Sequence, residues 1–379
     1  MVSTRRTAAT ALVIATLALA GCNNGGASTA PSAGGESPAA SEAASPAEST
    51  AASEGAAGCK VGVSWFTFQE ERYGLRDEPA IQAAIEAGGG TYIRTDGQNS
   101  AETQASDVEN LINQDVDVLV IDAFDAEAII PSVEAAKAAG IPVIAYDRLI
   151  EDPDVLYLTH DNVEVGRMIA RTVTGLVPEG NYAIIKGDEA NPNSAFLSIG
   201  FNEIVDPLKA SGAINVVDEQ FTDQWKPEVA QATMEQILTA NDNDVDAVLS
   251  QNDGMAGGVV AALEAQGLAG TTQVGGQDGD IPALNRVALG TQAVSVWKDS
   301  SELGTAAGEA AIQICANPDP TSVAGTAPYE TPGGNTVSAI LLAPIPITKD
   351  NLNVVLDANW LTQEELCQGV TAGSVAACP

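Results

Sequence analysis

The stretch "VDVLVIDAFDAEAIIPSVEAAKAAGIPVIAYDR", residues 116–148, decides how this chain folds. It opens with a strand-like apolar run, VDVLVIDA, and continues into a helix-like segment, AEAIIPSVEAAKAAG. It closes with a second apolar run, Ile141 to Tyr146. Uninterrupted apolar strands separated by an amphipathic helix are the unit of a parallel sheet covered on both faces. The second run then ends abruptly in Asp147-Arg148. Neighbouring strand residues point to opposite faces, so these two charges need not pair with each other. A surface ion pair would contribute little in any case. An acceptor and a fork of donors at the end of a buried strand point to a ligand.

The same alternation extends in both directions. KVGVSWF (60–66) leads to EPAIQAAIEAG, and TYIRTDG (91–97) leads to ETQASDVENLINQ. VLYLTHDN (155–162) follows the opening stretch, and a second series then begins: YAIIKGD, INVVDEQ, DAVLSQND and TQVGGQD, each followed by a helix-like segment. About 320 residues remain from Cys59 onward, more than one core usually organises. The fold class expected is therefore α/β, with two doubly wound parallel-sheet lobes.

The amino terminus concerns export. Arg5-Arg6 precede the apolar run AATALVIATLALA, which ends in LAGC at Leu19 to Cys22. A basic start, a short apolar run and small residues before a cut describe a secretory signal, residues 1–22, rather than a membrane span of about 20 apolar residues. The LAGC ending resembles a lipobox, which makes Cys22 the expected site of lipidation. Residues 23–58 contain only Gly, Ala, Ser, Thr, Pro, Asn and Glu. They cannot bury a core, so they are expected to be a disordered tether.

Leader and tether hold two Arg and four Glu, which leaves 14 basic and 47 acidic residues in the body, a net charge of −33. That sign argues against nucleic acid or an anionic lipid surface as partner. Four cysteines remain, at 59, 315, 367 and 378, with no CxxC and a single histidine. Zinc-site spacing is absent, and an even number of spaced cysteines in an exported protein favours disulfides, with three pairings open.

Ligands of open parallel sheets bind beyond the carboxyl ends of the strands. Those ends carry Asp147-Arg148, Asp161-Asn162, Asn252-Asp253, Gln277-Asp278 and Lys298. Asp and Asn there could instead cap helices, but Arg148 and Lys298 cannot. Of the 16 aromatic residues, Trp65, Phe66, Phe68, Tyr73, Tyr146, Phe221, Trp225 and Trp297 lie at or just past strand ends. Rings beside Asp, Asn and Arg suit a sugar, whose C–H faces pack on rings while its hydroxyls need partners. Core filling is the competing reading, and it fits Phe66 and Phe68 better than Trp225 in the polar FTDQWKPE.

Catalytic chemistry is not visible. No GxSxG accompanies His160, which reads as structural. DNDVDA (242–247) begins like a calcium loop but has Ala247 at its sixth position and Asp253 at its twelfth, so a turn is the better reading. GGG at 88–90 is a helix-ending turn, and no phosphate loop or other cofactor motif appears.

From about residue 60 to 360 the chain resembles the periplasmic binding proteins that serve sugar ABC importers, most closely their D-xylose-binding branch. The matching stretches are ERYG, ETQASDVENLINQDVDVLVI, VIAYDRLI, DNVEVG, VPEGNY, LTANDNDVDAVLSQNDGMAGG, ALEAQGLAG, GQDGDI and GTQAVSVWK. They occur in order and at family spacing.

The resemblance implies a type I periplasmic-binding-protein fold, and sugar ligands at Arg72, Asp147, Arg148, Asn252, Asp278 and Lys298. It implies aromatic walls at Tyr73, where the xylose-binding members have Trp, and at Trp225. In the loop EANPNSAF it points to Asn193, with Asn191 as the alternative because of Pro192.

It also implies three crossings between lobes, near Asp161-Asn162, near Trp297-Lys298 and in LLAPIPIT (341–348). The amino-terminal lobe would then be 59–161 plus 299–341, and the carboxy-terminal lobe 162–298 plus 342–379. On that topology Cys59 and Cys315 fall at one pole of the first lobe, so the pairing expected is Cys59–Cys315 with Cys367–Cys378.

The function implied is not enzymatic. It is that of a monomeric, lipid-anchored receptor on the outer face of the cell membrane, which passes a monosaccharide, D-xylose foremost, to an ABC permease and its ATPase. The alternatives are a sensor presenting bound aldose to a membrane kinase or chemoreceptor, and a binder of another aldose such as glucose or arabinose. An enzyme acting on sugars is a third class. A repressor of related fold would begin with a helix-turn-helix module, and this chain begins with a leader and tether.

Overall fold

The computed structural model describes residues 58–379 apart from Pro332. The signal, nearly all of the tether and Cys22 lie outside the described residues. Within them, thirteen strands form two sheets. The first five are β1 (Lys60–Trp65), β2 (Thr91–Asp96), β3 (Val118–Ile121), β4 (Val143–Tyr146) and β5 (Leu156–His160). Then come β6 (Gly180–Lys186), β7 (Ile214–Phe221), β8 (Ala247–Ser250), β9 (Gln273–Asp278) and β10 (Val294–Trp297). The last three are β11 (Ala327–Glu330), β12 (Thr336–Leu342) and β13 (Ile345–Ile347).

One sheet has the order β11-β12-β5-β4-β3-β1-β2, the other β13-β10-β9-β8-β6-β7. Both are parallel except at one edge, where β11 runs antiparallel to β12 and β13 antiparallel to β10. The central strands β3, β4, β5, β8 and β10 are buried at every residue. The edge strands β2 and β7 are largely half-buried or exposed. Helices cover both faces of the inner strands, which is why β3 and β4 read as unbroken apolar runs.

The chain passes between sheets three times: from β5 into the helix Asn162–Leu176, from β10 into the helix Ser300–Ala316, and from β12 to β13. The helix Ser300–Ala316 contributes Leu303, Ala307, Ala310, Ala311 and Ile314 to the core under β1 and β3. The helix of the opening stretch starts at Ile130, later than its apolar pattern begins. Asp125 accepts hydrogen bonds from the amides of Glu127 and Ala128, 2.9 Å each, and so makes a turn there. Pro131 then fits the first helical turn, where its missing N–H costs nothing.

Under the second sheet, helices Asn162–Leu176 and Pro192–Ser211 pack at glycine distance. A Cβ at Gly200 would stand 2.2 Å from the Val163 carbonyl oxygen. The carboxy-terminal tail packs Leu352, Val355, Trp360, Leu361 and Leu366 onto the helix Ile281–Leu289. Cys59 pairs with Cys315 (Cα–Cα 6.2 Å) and Cys367 with Cys378 (5.6 Å), both within disulfide reach. No helix among the described residues is long and apolar enough to cross a membrane.

Candidate functional site

The carboxyl ends of both sheets face one another across a polar cavity. All nine residues expected at the ligand line it: Arg72, Tyr73, Asp147, Arg148, Asn193, Trp225, Asn252, Asp278 and Lys298. Glu70, Asn191 and Gln277 complete the wall. Asp147 and Arg148 follow β4, Asn252 follows β8, Asp278 ends β9 and Lys298 follows β10. Arg72 and Tyr73 come from a π-helical turn, Tyr73–Asp77, that leads into the helix Glu78–Ala87. Sheet topology thus gathers the charges, as expected beyond the carboxyl ends of doubly wound sheets.

Each charge is held by a partner behind it. Arg72 donates two hydrogen bonds to Asp77, from Nε at 3.1 Å and Nη2 at 2.7 Å, and Tyr146 donates its hydroxyl to the same carboxylate. The Nη1 of Arg72 lies 3.6 Å from Asp147 Oδ1 and 3.8 Å from Asp278 Oδ1. Lys298 Nζ lies 3.0 Å from Asp278 Oδ1. Arg148 donates to the Ala123 carbonyl at 3.1 Å, and its Cζ stands 3.5 Å from the centre of the Phe66 ring.

Burial works to raise the Asp147 pKa. The fields of Arg72, Lys298 and Arg148 outweigh it and lower the value to about 2. Asp147 is therefore an anion, an obligate acceptor. Glu70 and Asp122 go the other way, raised chiefly by burial. Several buried polar atoms have no hydrogen-bond partner among the described residues: Asp147 Oδ1, Arg148 Nε, Gln277 Oε1 and Trp225 Nε1. Leaving such groups unpaired is costly, so the wall is built for polar hydroxyls or their like.

The backbone carries the same signal. Asp147 (φ 59°), Trp225 (φ 57°) and Asp278 (φ 104°) all have positive φ. Aspartate tolerates the left-handed region, whereas a bulky tryptophan there is an outlier, and such strain gathers at functional sites. Gly187 makes the Trp225 pose feasible, since a Cβ there would stand 2.2 Å from the indole ring.

Helix capping and cavity lining turn out not to exclude each other. Asn252 accepts from the Met255 amide at 2.8 Å, and Asn191 from the Asn193 amide at 3.0 Å, yet both line the cavity. Asp161 caps its helix through the Glu164 amide and stays outside the cavity wall. Asp253 also stands outside it, where its carboxylate takes hydrogen bonds from Gly279 N, Ser295 Oγ and Gln292 Nε2 and so fixes the turn after Asp278. His160 is buried and kept neutral, first by burial and then by the charges of Lys298 and Arg72.

The aromatic reading needs correction. Of the eight aromatics at strand ends, only Tyr73 and Trp225 line the cavity. Trp65, Phe66 and Tyr146 form the layer behind Tyr73, with ring centroids 5.2–5.7 Å apart. Trp297 packs on Trp360, and Phe221 lies under Lys186. A strand end marks both the cleft and the top of the core, and position along the sequence does not separate the two. Glu70 was missed, although it stands directly before ERYG, and Gln277, read as a strand-end residue beside Asp278, was left out of the expected ligand set.

Comparison with known proteins agrees with this architecture. A family model described as "Periplasmic binding protein domain" matches residues 61–319. The D-xylose-binding periplasmic protein of Haemophilus influenzae is 37% identical over 310 residues, which is 81% of this chain and 92% of that protein. The D-xylose-binding periplasmic protein of Escherichia coli is 36% identical over 309 residues, again 81% and 92%. Among solved structures, an ABC transporter solute-binding protein from Clostridium phytofermentans with bound β-D-glucose superposes with a TM-score of 0.71 at 27% identity, covering 81% of this chain and 99% of that one.

Proposed function

The chain belongs to the periplasmic binding protein family, and from that premise we propose that it captures a monosaccharide, D-xylose foremost, and delivers it to an ABC importer. The observation that carries this reading is the convergence of Asp147, Asp278, Arg148 and Lys298 beside Trp225 in one cavity. Every hydroxyl of a pyranose can both donate and accept, so carboxylates and cations at neighbouring positions engage adjacent hydroxyls with charge-assisted hydrogen bonds. The indole and the Tyr73 ring cover its C–H faces. A sugar whose hydroxyls point elsewhere leaves charged groups unpaired, and that asymmetry is the source of selectivity.

In this reading the lobes are 59–161 plus 299–341 and 162–298 plus 342–379, and the three crossings form the hinge about which they close. A lipid on Cys22 would keep the receptor at the outer face of the membrane, near the permease and ATPase, with the receptor acting as a monomer. The xylose-binding relatives support the choice of pentose, and the glucose-bound neighbour makes glucose the competitor to test. A thermal-shift screen of aldoses tests the proposal, because a ligand that binds only the native state raises its midpoint. D-xylose is expected to give the largest shift; no shift with any aldose would overturn the proposal.

Trp225 supplies a finer test. Trp225→Ala is expected to weaken xylose binding by about 1–2 kcal/mol and to shrink the ligand-induced fluorescence change, leaving the melting midpoint of the free protein near wild type. Unaltered affinity and fluorescence would place the indole away from the sugar.

A further inference from the structure

Arg76 sits one turn beyond Arg72 on the π-helical segment of the first lobe. Arg72 lines the cavity, whereas Arg76 reaches to the carboxy-terminal tail. Its guanidinium lies 4.5 Å from the centre of the Trp360 ring, and its Nη2 donates to the Trp360 carbonyl, a contact 284 residues apart in sequence. Trp360 in turn donates its indole N–H to the Gly279 carbonyl at 2.6 Å, directly after the cavity residue Asp278. The tail that carries Trp360 is firmly seated. Asn285 donates to the carbonyls of Leu366 and Gln368 at 2.8 Å each, and Cys367 is bonded to Cys378.

Resting on the sugar-binding reading above, we propose that Arg76 and Trp360 form a latch that holds the two lobes closed over the ligand without touching it. The contact joins an element packed on the first sheet to one packed on the second, beside the crossing at Trp297 on which Trp360 packs, so a hinge motion that separates these two elements breaks it. It combines a cation over an indole face with a charge-assisted hydrogen bond, two interactions that favour arginine. A contact that such a motion breaks adds its strength to the closing equilibrium. Apparent affinity scales with the fraction of protein competent to close, so a residue outside the cavity sets how tightly sugar is kept. Arg76 is thus a positioning residue, and its effect falls on release rather than capture.

The test compares Arg76→Ala and Arg76→Lys with wild type by calorimetry and stopped-flow fluorescence, using D-xylose or whichever aldose wild type binds in the screen. Arg76→Ala is expected to raise Kd about five- to thirtyfold, mostly through a faster off-rate, and Arg76→Lys to recover part of the loss because an ammonium still faces the indole. The melting midpoint of sugar-free Arg76→Ala should match wild type, while that of the sugar-saturated protein falls. An unchanged Kd, or an equal fall in both midpoints, would overturn the latch.

Should wild type bind no aldose, the sugar reading fails by itself, and spin-label distances across the cleft in the free protein still decide the latch. Loss of the closed component in Arg76→Ala supports it, and distance distributions identical to wild type overturn it.

Discussion

Asp147→Ala is expected to raise the Kd for D-xylose by about 30- to 1000-fold, about 2–4 kcal/mol, the range for removing one member of a buried charged network. Asp147 is ionised. Arg72, Lys298 and Arg148 hold its pKa at about 2 against the effect of burial. Its Oδ1 has no hydrogen-bond partner among the described residues and can accept from a ligand hydroxyl. Alanine removes that acceptor and also strips Arg72 of a counter-charge 3.6 Å away. Both losses grow in a closed, water-poor cleft, where unpaired charge is most costly. Asp147→Asn keeps the shape and one acceptor oxygen and should fall between alanine and wild type. Titration calorimetry measures both, and an alanine variant within threefold of wild type would place Asp147 away from the sugar.

Loss of the Cys59–Cys315 bond should act on stability and leave binding alone. The bond joins residues 256 apart in sequence, and removing a native disulfide typically costs about 2–5 kcal/mol. For a folded body of about 320 residues that corresponds to a fall in Tm of about 3–8 °C. Cys59 precedes β1, at the opposite end of the strand from the cavity, and Cys315 lies in the last turn of the helix Ser300–Ala316. Both therefore belong to elements packed on the first sheet, and the bond places no restraint across the cleft. Cys59→Ala/Cys315→Ala should melt early and bind xylose with unchanged Kd. A Tm equal to wild type in oxidised protein, or a peptide map joining Cys59 to Cys367 or Cys378, would refute the pairing.

The parts of the molecule legible in its sequence share a physical cause. Strands β3 and β4 are buried on both faces and hold only apolar and aromatic residues, so each reads as an unbroken run, while β5 and β8 turn polar only at their carboxyl ends, at Thr159-His160 and Ser250. Arg148 and Lys298 stood out because cations have no role as N-caps at strand ends.

Elsewhere the signal fails for equally concrete reasons. β12 alternates between buried and more exposed residues, and β11 is an edge strand containing Pro328, so this hairpin left no clear run to read. The tail folds through two short helices, a disulfide and contacts with Asn285, none of which has a period. Aromatic residues at strand ends were over-read because core and cleft meet there. The contact of Arg76 with Trp360 joins distant segments and carries no local pattern at all.

The central claim is that this cavity holds a pyranose between Trp225 and the charged ends of β4, β9 and β10. The most direct measurement is a crystal structure of the protein grown with saturating D-xylose. The account predicts one sugar in the cavity, its hydroxyls within hydrogen-bond distance of Asp147, Arg148, Asp278 and Lys298 and a C–H face on the Trp225 indole. A sugar bound elsewhere, or a cavity without sugar at saturation, would contradict it.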